Sequence, residues 1–514
     1  MKYRLYGSDH PDIAQSLNNM GSMYQNWGKS NKADSLLQLS YEMMKRIYNP
    51  DHPKLTIACM NIAAINFINE NYSKSEEYFD KGISSFKKIL VKNFPYMSEK
   101  EKGQFLSTVN DNFESFNSFA INEKTDRHNL KFMFDNRLIL KGILLNATQK
   151  VRERIFSSGD TFLINSYYDL MAIRESLSKL YSAQIEDESW KKNTIDSLEK
   201  AANAIDKELS RRSEDFRNVF VKKTYSYDDV RNSLKDDEAA VEIVRFNFFD
   251  KKWTDTVYYA ALIAAKDLEI PELVLLKNGN ALEGIHAKNF ERFMKMRLQD
   301  IDSYRIYWQP VAEKLSAMGI EKVYLSPDGV YNQINVETLL NPNTEEYVFD
   351  EFDLRITGST RDILDKPERK YPAKTALLIG NPKFNTANSR VTEEKDKNRA
   401  LPVDYPYELT RGIRDLFTGG AISPLPGTEK EISKISGLLM ENGYEVTGFT
   451  GPNAVEEVVK EINDPLILHI ATHGLFLKDI DPGENTQTFG MQSDKFIENP
   501  LLRSMLLLAG AENT

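Results

Sequence analysis

The 514-residue chain has a single cysteine, Cys59. One thiol excludes an intrachain disulfide framework and suits a reducing compartment, so a cytoplasmic location is expected. No apolar run approaches the length of a membrane-spanning helix, and the opening Met1-Lys-Tyr-Arg-Leu-Tyr-Gly7 has no apolar core of a signal peptide. No membrane partner is expected. Basic residues number 66 against 76 acidic ones, a formal net charge of −10. That balance gives no general attraction to nucleic acid, and no direct nucleic-acid partner is expected. Neither glycine-rich phosphate-loop pattern is present; Gly380-Asn-Pro-Lys383 is not one.

What is present is ordinary for a globular protein: 41% hydrophobic and 28% charged residues. The length exceeds what one hydrophobic core supports and implies roughly two to four domains. The N-terminus carries an internal repeat. Arg4-Leu-Tyr-Gly-Ser-Asp-His-Pro11 recurs as Arg46-Ile-Tyr-Asn-Pro-Asp-His-Pro53, an offset of 52 − 10 = 42 residues, and Asn19/Asn61 and Lys32/Lys74 keep the register. A fixed period with helical patterning signals stacked helix pairs. Ile13, Leu17, Met20 and Tyr24 form one apolar face, and Leu36, Leu37 and Tyr41 suit the partner helix. In each Asp-His-Pro turn the Asp is expected to cap the next helix, with Pro in its first turn and His10 and His52 as turn residues. Cys59, among Ile57, Ala58, Met60 and Ile62, reads as a small core residue.

Residues 91–224 read as a helical connecting region. Ser98-Glu-Lys-Glu101 is a capping box. Phe113, Phe116 and Phe119 stripe one helix; Leu138, Leu140, Ile143 and Leu144 stripe another. Both stripes predict core. The charged stretch Glu186–Arg217 predicts long helices paired as a hairpin, and its mixed signs do not form a nucleic-acid tract. Near Tyr225 the pattern becomes α/β. Ser226-Tyr-Asp-Asp229 caps a short helix; Ala239–Phe246, Val257–Ile263, Leu273–Leu276, Lys322–Ser326 and Thr375–Pro382 read as strands, with a helix bearing Tyr304, Tyr307 and Trp308 among them. Strands alternating with helices argue a mostly parallel sheet. Ser326 to Gly329 reads as an architectural turn. Thr428 with Glu431, and Asn453 with Glu456, read as capping boxes.

The chemistry-bearing stretch is Pro465-Leu-Ile-Leu-His-Ile-Ala-Thr-His-Gly-Leu-Phe476. An apolar run of strand length ends in His473, with Gly474 next. Open α/β sheets place their chemistry at the carboxyl ends of such strands, and a glycine lets backbone approach a ligand. His469 lies inside the run and reads as a packing histidine. A zinc pair four residues apart would need a helix, and the metalloprotease pattern needs Glu where Ile470 stands. The polar segments 385–410 and Asp479–Phe496 read as loops; Asp479, Asp481 and Asp494 are either substrate-selecting or solvated.

Taken in order, Leu425-Pro-Gly-Thr-Glu-Lys-Glu431, Gly443-Tyr-Glu-Val, Gly451-Pro-Asn-Ala-Val-Glu-Glu457, the His stretch and Asn499–Ala511 resemble the CHAT domain. This is a caspase-like cysteine peptidase domain found with tetratricopeptide (TPR) repeats. The 42-residue period resembles the long TPR repeats of the kinesin-light-chain type. The resemblance implies a multidomain chain: TPR helical repeats over 1–90, the helical connection over 91–224, an N-terminal CHAT half over 225–370 that could be a degenerate caspase-like copy, and a caspase-like half over 371–514. It implies His473 as catalytic histidine, the Gly474 N–H as oxyanion donor, a protein substrate, a protein partner on the repeats, a regulatory complex, and no metal or organic cofactor. The family's nucleophilic Cys lies on a strand beyond Leu508-Ala-Gly-Ala511. Repeats are likewise expected upstream, so the chain reads as cut at both ends. Two readings follow: a cysteine endopeptidase, or a non-catalytic scaffold of TPR surface and inactive caspase-like domain.

Overall fold

The computed structural model describes residues 9–50, 52–93, 97–141, 143–182, 188–212, 225–364, 374–385, 422–462, 465–476 and 504–511. Its repeats begin as the Asp-His-Pro turns dictate, with one change of roles. Helices α1 (Pro11–Asn26) and α3 (Pro53–Ile68) both start at proline, where no N–H is missed. The caps are the histidines. His10 Nδ1 accepts the Asp12 N–H at 3.1 Å, and His52 Nδ1 accepts the Lys54 N–H at 3.2 Å. Asp9, expected as a cap, instead takes both arms of Arg46 at 2.9 Å. A proline at N1 leaves the N2 amide as the first donor, and the imidazole next to it reaches that amide. Helices α2 (Ser30–Ile47) and α4 (Tyr72–Asn93) complete the pairs. Ala14, Leu17, Ala33, Leu37, Ala58 and Ile62 fill the seam between them.

The chain forms two compact units. The first comprises Met1–Met97, Glu101–Lys150 and Glu214–Lys366; the second comprises Ser98–Lys100, Val151–Ser213 and Pro367–Thr514. In the first unit the Phe113/Phe116/Phe119 stripe of α5 (Glu99–Ala120) is buried, as its spacing requires. Phe79 of α4 packs on Phe116 and Phe119 at centroid distances of 5.3 and 5.2 Å, and Phe86 packs on Phe113 at 5.0 Å. Such pairs contribute about 0.5–1.5 kcal/mol each beyond area burial. The second expected stripe is interrupted. Helix α6 (Asn129–Leu140) stops at Lys141, whose backbone is extended, and α7 (Ile143–Ser158) begins afterwards.

The first unit also holds a five-stranded sheet, order β3-β2-β1-β4-β5, made of β1 (Glu238–Asp250), β2 (Lys252–Ala265), β3 (Glu272–Leu276), β4 (Lys322–Ser326) and β5 (Asp353–Ile356). The parallel order holds across β1-β4-β5, and β2 and β3 extend the sheet antiparallel. Alternation sorts its faces. Ala239, Val241, Ile243, Tyr259, Val323 and Leu325 pack with Tyr307 and Trp308. The other face is covered too, so β1 is buried over nearly its whole length. Ser226 and Asp229 form the expected reciprocal capping box.

In the second unit, α8 (Thr161–Ser182) and α9 (Glu188–Arg212) pair through Leu177, Leu180, Ile195 and Leu198. Its three-stranded sheet has the order β7-β6-β8, all parallel, from β6 (Thr375–Pro382), β7 (Glu445–Gly451) and β8 (Ile467–Ala471). The helix Pro426–Glu441 covers one face through Ile432 and Leu439. It comes close because Gly380 has no side chain: a Cβ there would meet Ile432 Cγ1 at 2.6 Å. Two expected capping boxes are not formed. Thr428 lies inside the first turn, behind Pro426, and its hydroxyl accepts the Asn381 N–H at 2.8 Å. The helix Glu456–Lys460 starts after Val455 with no side-chain cap. In both places the boundary falls where the backbone meets β6 or leaves β7, not at the polar residue.

Candidate functional site

Strand β8 ends at Ala471, and His473 follows at the carboxyl end of the parallel sheet. This is where open α/β sheets expose strand ends to ligands. The ring is half-buried, 5.6 Å from the Phe384 ring, and its Nε2 lies 2.8 Å from the Ser423 carbonyl. A carbonyl only accepts, so Nε2 carries a proton; in the neutral ring the lone pair is on Nδ1. That tautomer is the one a base working through Nδ1 requires.

Backbone ties hold the residue in place. Leu507 N–H donates to the His473 carbonyl at 2.9 Å, and the Thr472 hydroxyl donates to the Leu507 carbonyl. Strand β9 (Gly474–Phe476) pairs antiparallel with β10 (Ser504–Leu506), Gly474 opposite Leu506. With Leu507 N–H bonded to His473, the Gly474/Leu506 pair is the non-hydrogen-bonded kind, so the Gly474 N–H points away from β10. Gly474 is exposed, and among the described residues a Cβ there would meet only Leu506 Cδ2, at 3.9 Å. Phe384, Ile422 and Leu507 form the small apolar floor beside the histidine.

His469 is not a partner in this site. It pairs with Leu378 across β6–β8, and its Nε2 lies 3.1 Å from Glu431 Oε1 on the covering helix. Nε2 makes no hydrogen bond of acceptable angle there; the contact is packing. On a strand, four residues span roughly 13 Å, so the two histidines do not share a ligand as they would on a helix. Cys59 lies in the first unit, 5% exposed in the repeat core. Burial pushes its thiol pKa up, with the Tyr41 hydrogen bond opposing, the reverse of a nucleophile's environment. Asp479, Asp481 and Asp494, and residues 386–410 of the first polar loop, lie outside the described residues.

Sequence reasoning missed Ser423 and Phe384. A backbone carbonyl 50 residues upstream leaves no residue-type signal. It also missed a second cluster in the first unit, at the carboxyl end of β4 beside Glu242 in the interior of β1. Glu242 is fully buried and accepts from Ser359 Oγ at 3.1 Å, Thr360 N–H at 2.7 Å and Thr360 Oγ1 at 2.8 Å. Lys141 Nζ stands 3.5 Å from its other oxygen and donates to Ser326 Oγ and to the Pro327 carbonyl. A signal existed: Glu242 interrupts an apolar strand that is otherwise buried on both faces.

Comparison with known proteins places this geometry. A tetratricopeptide-repeat family model matches residues 12–88 and a CHAT-domain model matches residues 303–514. No curated protein matches the chain. The CHAT match starts at Ser303, yet β1–β3 join β4 and β5 in one sheet, so that sheet reaches upstream of the matched region. With helical repeats at one end and a CHAT domain at the other, the chain has the TPR-CHAT architecture.

Proposed function

We propose that the CHAT region is a caspase-like cysteine endopeptidase domain whose TPR repeats engage a protein partner, with His473 as the catalytic histidine. The observation that carries this reading is His473 itself. It stands at the carboxyl end of a parallel strand, with Nε2 held by the Ser423 carbonyl. The Gly474 N–H, directed away from β10, suits an oxyanion donor. The reaction would be acyl transfer: a thiolate attacks the peptide carbonyl, the tetrahedral intermediate expels the amine protonated by His473, and water cleaves the thioester. This chemistry needs no metal or organic cofactor. The substrate is a protein, and a regulatory complex bound to the repeats would set its timing. Among the described residues no helix is long and apolar enough to cross a membrane; we place the protein in the cytoplasm.

The thiol must come from a cysteine other than Cys59, which is buried in a helical repeat. That same fact favours the second reading, a TPR and pseudo-caspase scaffold. The test starts from the source gene. The reading frame around these residues is sequenced, and the longest continuous chain is assayed for cleavage of unfolded protein substrates. We expect His473→Ala to lower cleavage at least 10³-fold, by order of magnitude, and Cys59→Ala to leave it unchanged. Cleavage that survives His473→Ala overturns the peptidase reading; a frame whose only cysteine is Cys59 leaves the scaffold.

A further inference from the structure

Two strand ends in this molecule occupy the same station. In the first unit β1 Glu242 pairs in register with β4 Ser326, and in the second β6 Gly380 pairs with β8 Ala471. Two residues further, the first carries Asp328-Gly329 and the second His473-Gly474. The station that holds the candidate histidine in one sheet is filled in the other. Asp328 is engaged by Arg137 at 2.8 Å and by the Arg245 N–H at 2.9 Å, and Lys141 sits in the step between Glu242 and Ser326.

Both cations come from α6 and the residue after it. Lys131 pairs with Asp228 at 2.8 Å, Asp135 accepts the Tyr227 N–H at 2.6 Å, and the Leu138 carbonyl accepts from Arg361 at 2.8 Å. At its other end α6 is tied to the repeats, where Asn129 donates to Glu76 of α4 at 3.0 Å. One helix thus runs from the repeat array to the sealed end of β4. The break at Lys141, with its extended backbone, lets the side chain enter the sheet edge.

We propose that Lys141 is a coupling pin: it locks the end of α6 to the carboxyl end of β4 and to Glu242 in the neighbouring β1, so that strain applied to the TPR repeats is delivered to that strand end. Glu242 is what makes the pin two-state. It is wholly buried, so withdrawal of Lys141 leaves a carboxylate without its cation, and intermediate positions are disfavoured. The inference rests on the TPR region being a partner-binding module, but its test does not use peptidase activity.

The experiment is hydrogen exchange on the full chain. Glu76→Ala releases the repeat-side tie of α6. We expect it to raise exchange at residues 326–330 and 356–361 on the order of tenfold, while α1 is unchanged. In the K141M/E242Q background, which removes the pin without stranding a charge, the same Glu76→Ala change should no longer reach those residues. An equal response in both backgrounds overturns the proposal, as does no response in either. Should K141M alone fail to fold, the charge-balanced pair still decides.

Discussion

The Lys141 site makes its sharpest prediction in alkali. The Lys141 side chain is 13% exposed, and burial lowers its pKa from 10.5 to about 8, against the pull of Glu242 and with Arg137 adding to the shift; Asp328 opposes it. The unfolded chain holds this proton to higher pH than the native protein does. Between about pH 8 and 10.5 the unfolded state therefore binds more protons, and native stability from this group rises with pH. The full span is worth roughly 3 kcal/mol. Above about pH 10 buried tyrosines work the other way: Tyr259 and Tyr331 are raised by burial, so the unfolded chain ionises first. Cys59, raised by burial, and Lys87, lowered by burial, also contribute from pH 8 to about 9.5, so the Lys141 share is read there as the difference in slope between the wild type and a Lys141 variant.

The perturbation is Lys141→Met. At pH 7 it should cost about 3–5 kcal/mol, because the fully buried Glu242 loses its cationic partner. Its stability should then lack the rise with pH that Lys141 gives the wild type across this window. The assay is urea unfolding followed by tryptophan fluorescence in a Trp190→Phe background. The remaining three of the four tryptophans, Trp27, Trp253 and Trp308, all lie in the first unit. Adding Glu242→Gln should recover most of the loss at pH 7. A wild-type protein and a Lys141→Met variant with the same slope from pH 8 to 9.5 would refute the reasoning.

Gly329 has φ +52° and its absent Cβ would collide with the Tyr259 hydroxyl, which itself bonds Glu283 at 2.7 Å; Gly329→Ala should cost about 2–4 kcal/mol in the same assay. His52 caps α3 through a neutral Nδ1, and burial lowers its pKa, with Lys54 adding to the effect. The unfolded chain takes the proton first, so the cap's stability is full above pH 6.5 and is lost as pH falls through the folded value; His52→Asn, a cap that does not titrate, should remove this acid sensitivity in thermal melts. Cys59 should resist iodoacetamide in the native protein and react on addition of denaturant, as mass spectrometry would show. Gly380→Val should push the Pro426–Glu441 helix off β6 and cost about 1–3 kcal/mol, read as faster exchange in β6.

Much of this molecule is legible along the chain because the signals are local. The 42-residue repeat, the phenylalanine stripe, the buried strand runs and the histidine at a strand end are each set by neighbours a few residues away, through helical or strand periodicity. Roles that depend on a distant partner were not legible. Thr428 looks like a cap by its neighbours, but Pro426 starts the helix earlier and β6 claims the hydroxyl. His10 and His52 look like spectators, but the proline beside each leaves the next amide for the imidazole. The Lys141–Ser326 contact joins residues 185 apart, and the Ser423 carbonyl that orients His473 is 50 residues away. The sequence alone determined which segments become repeat helices and strands, and that a histidine stands at a strand end. Tertiary structure decided what each buried polar group bonds to, because a desolvated charge or amide takes whichever partner the packing brings within reach.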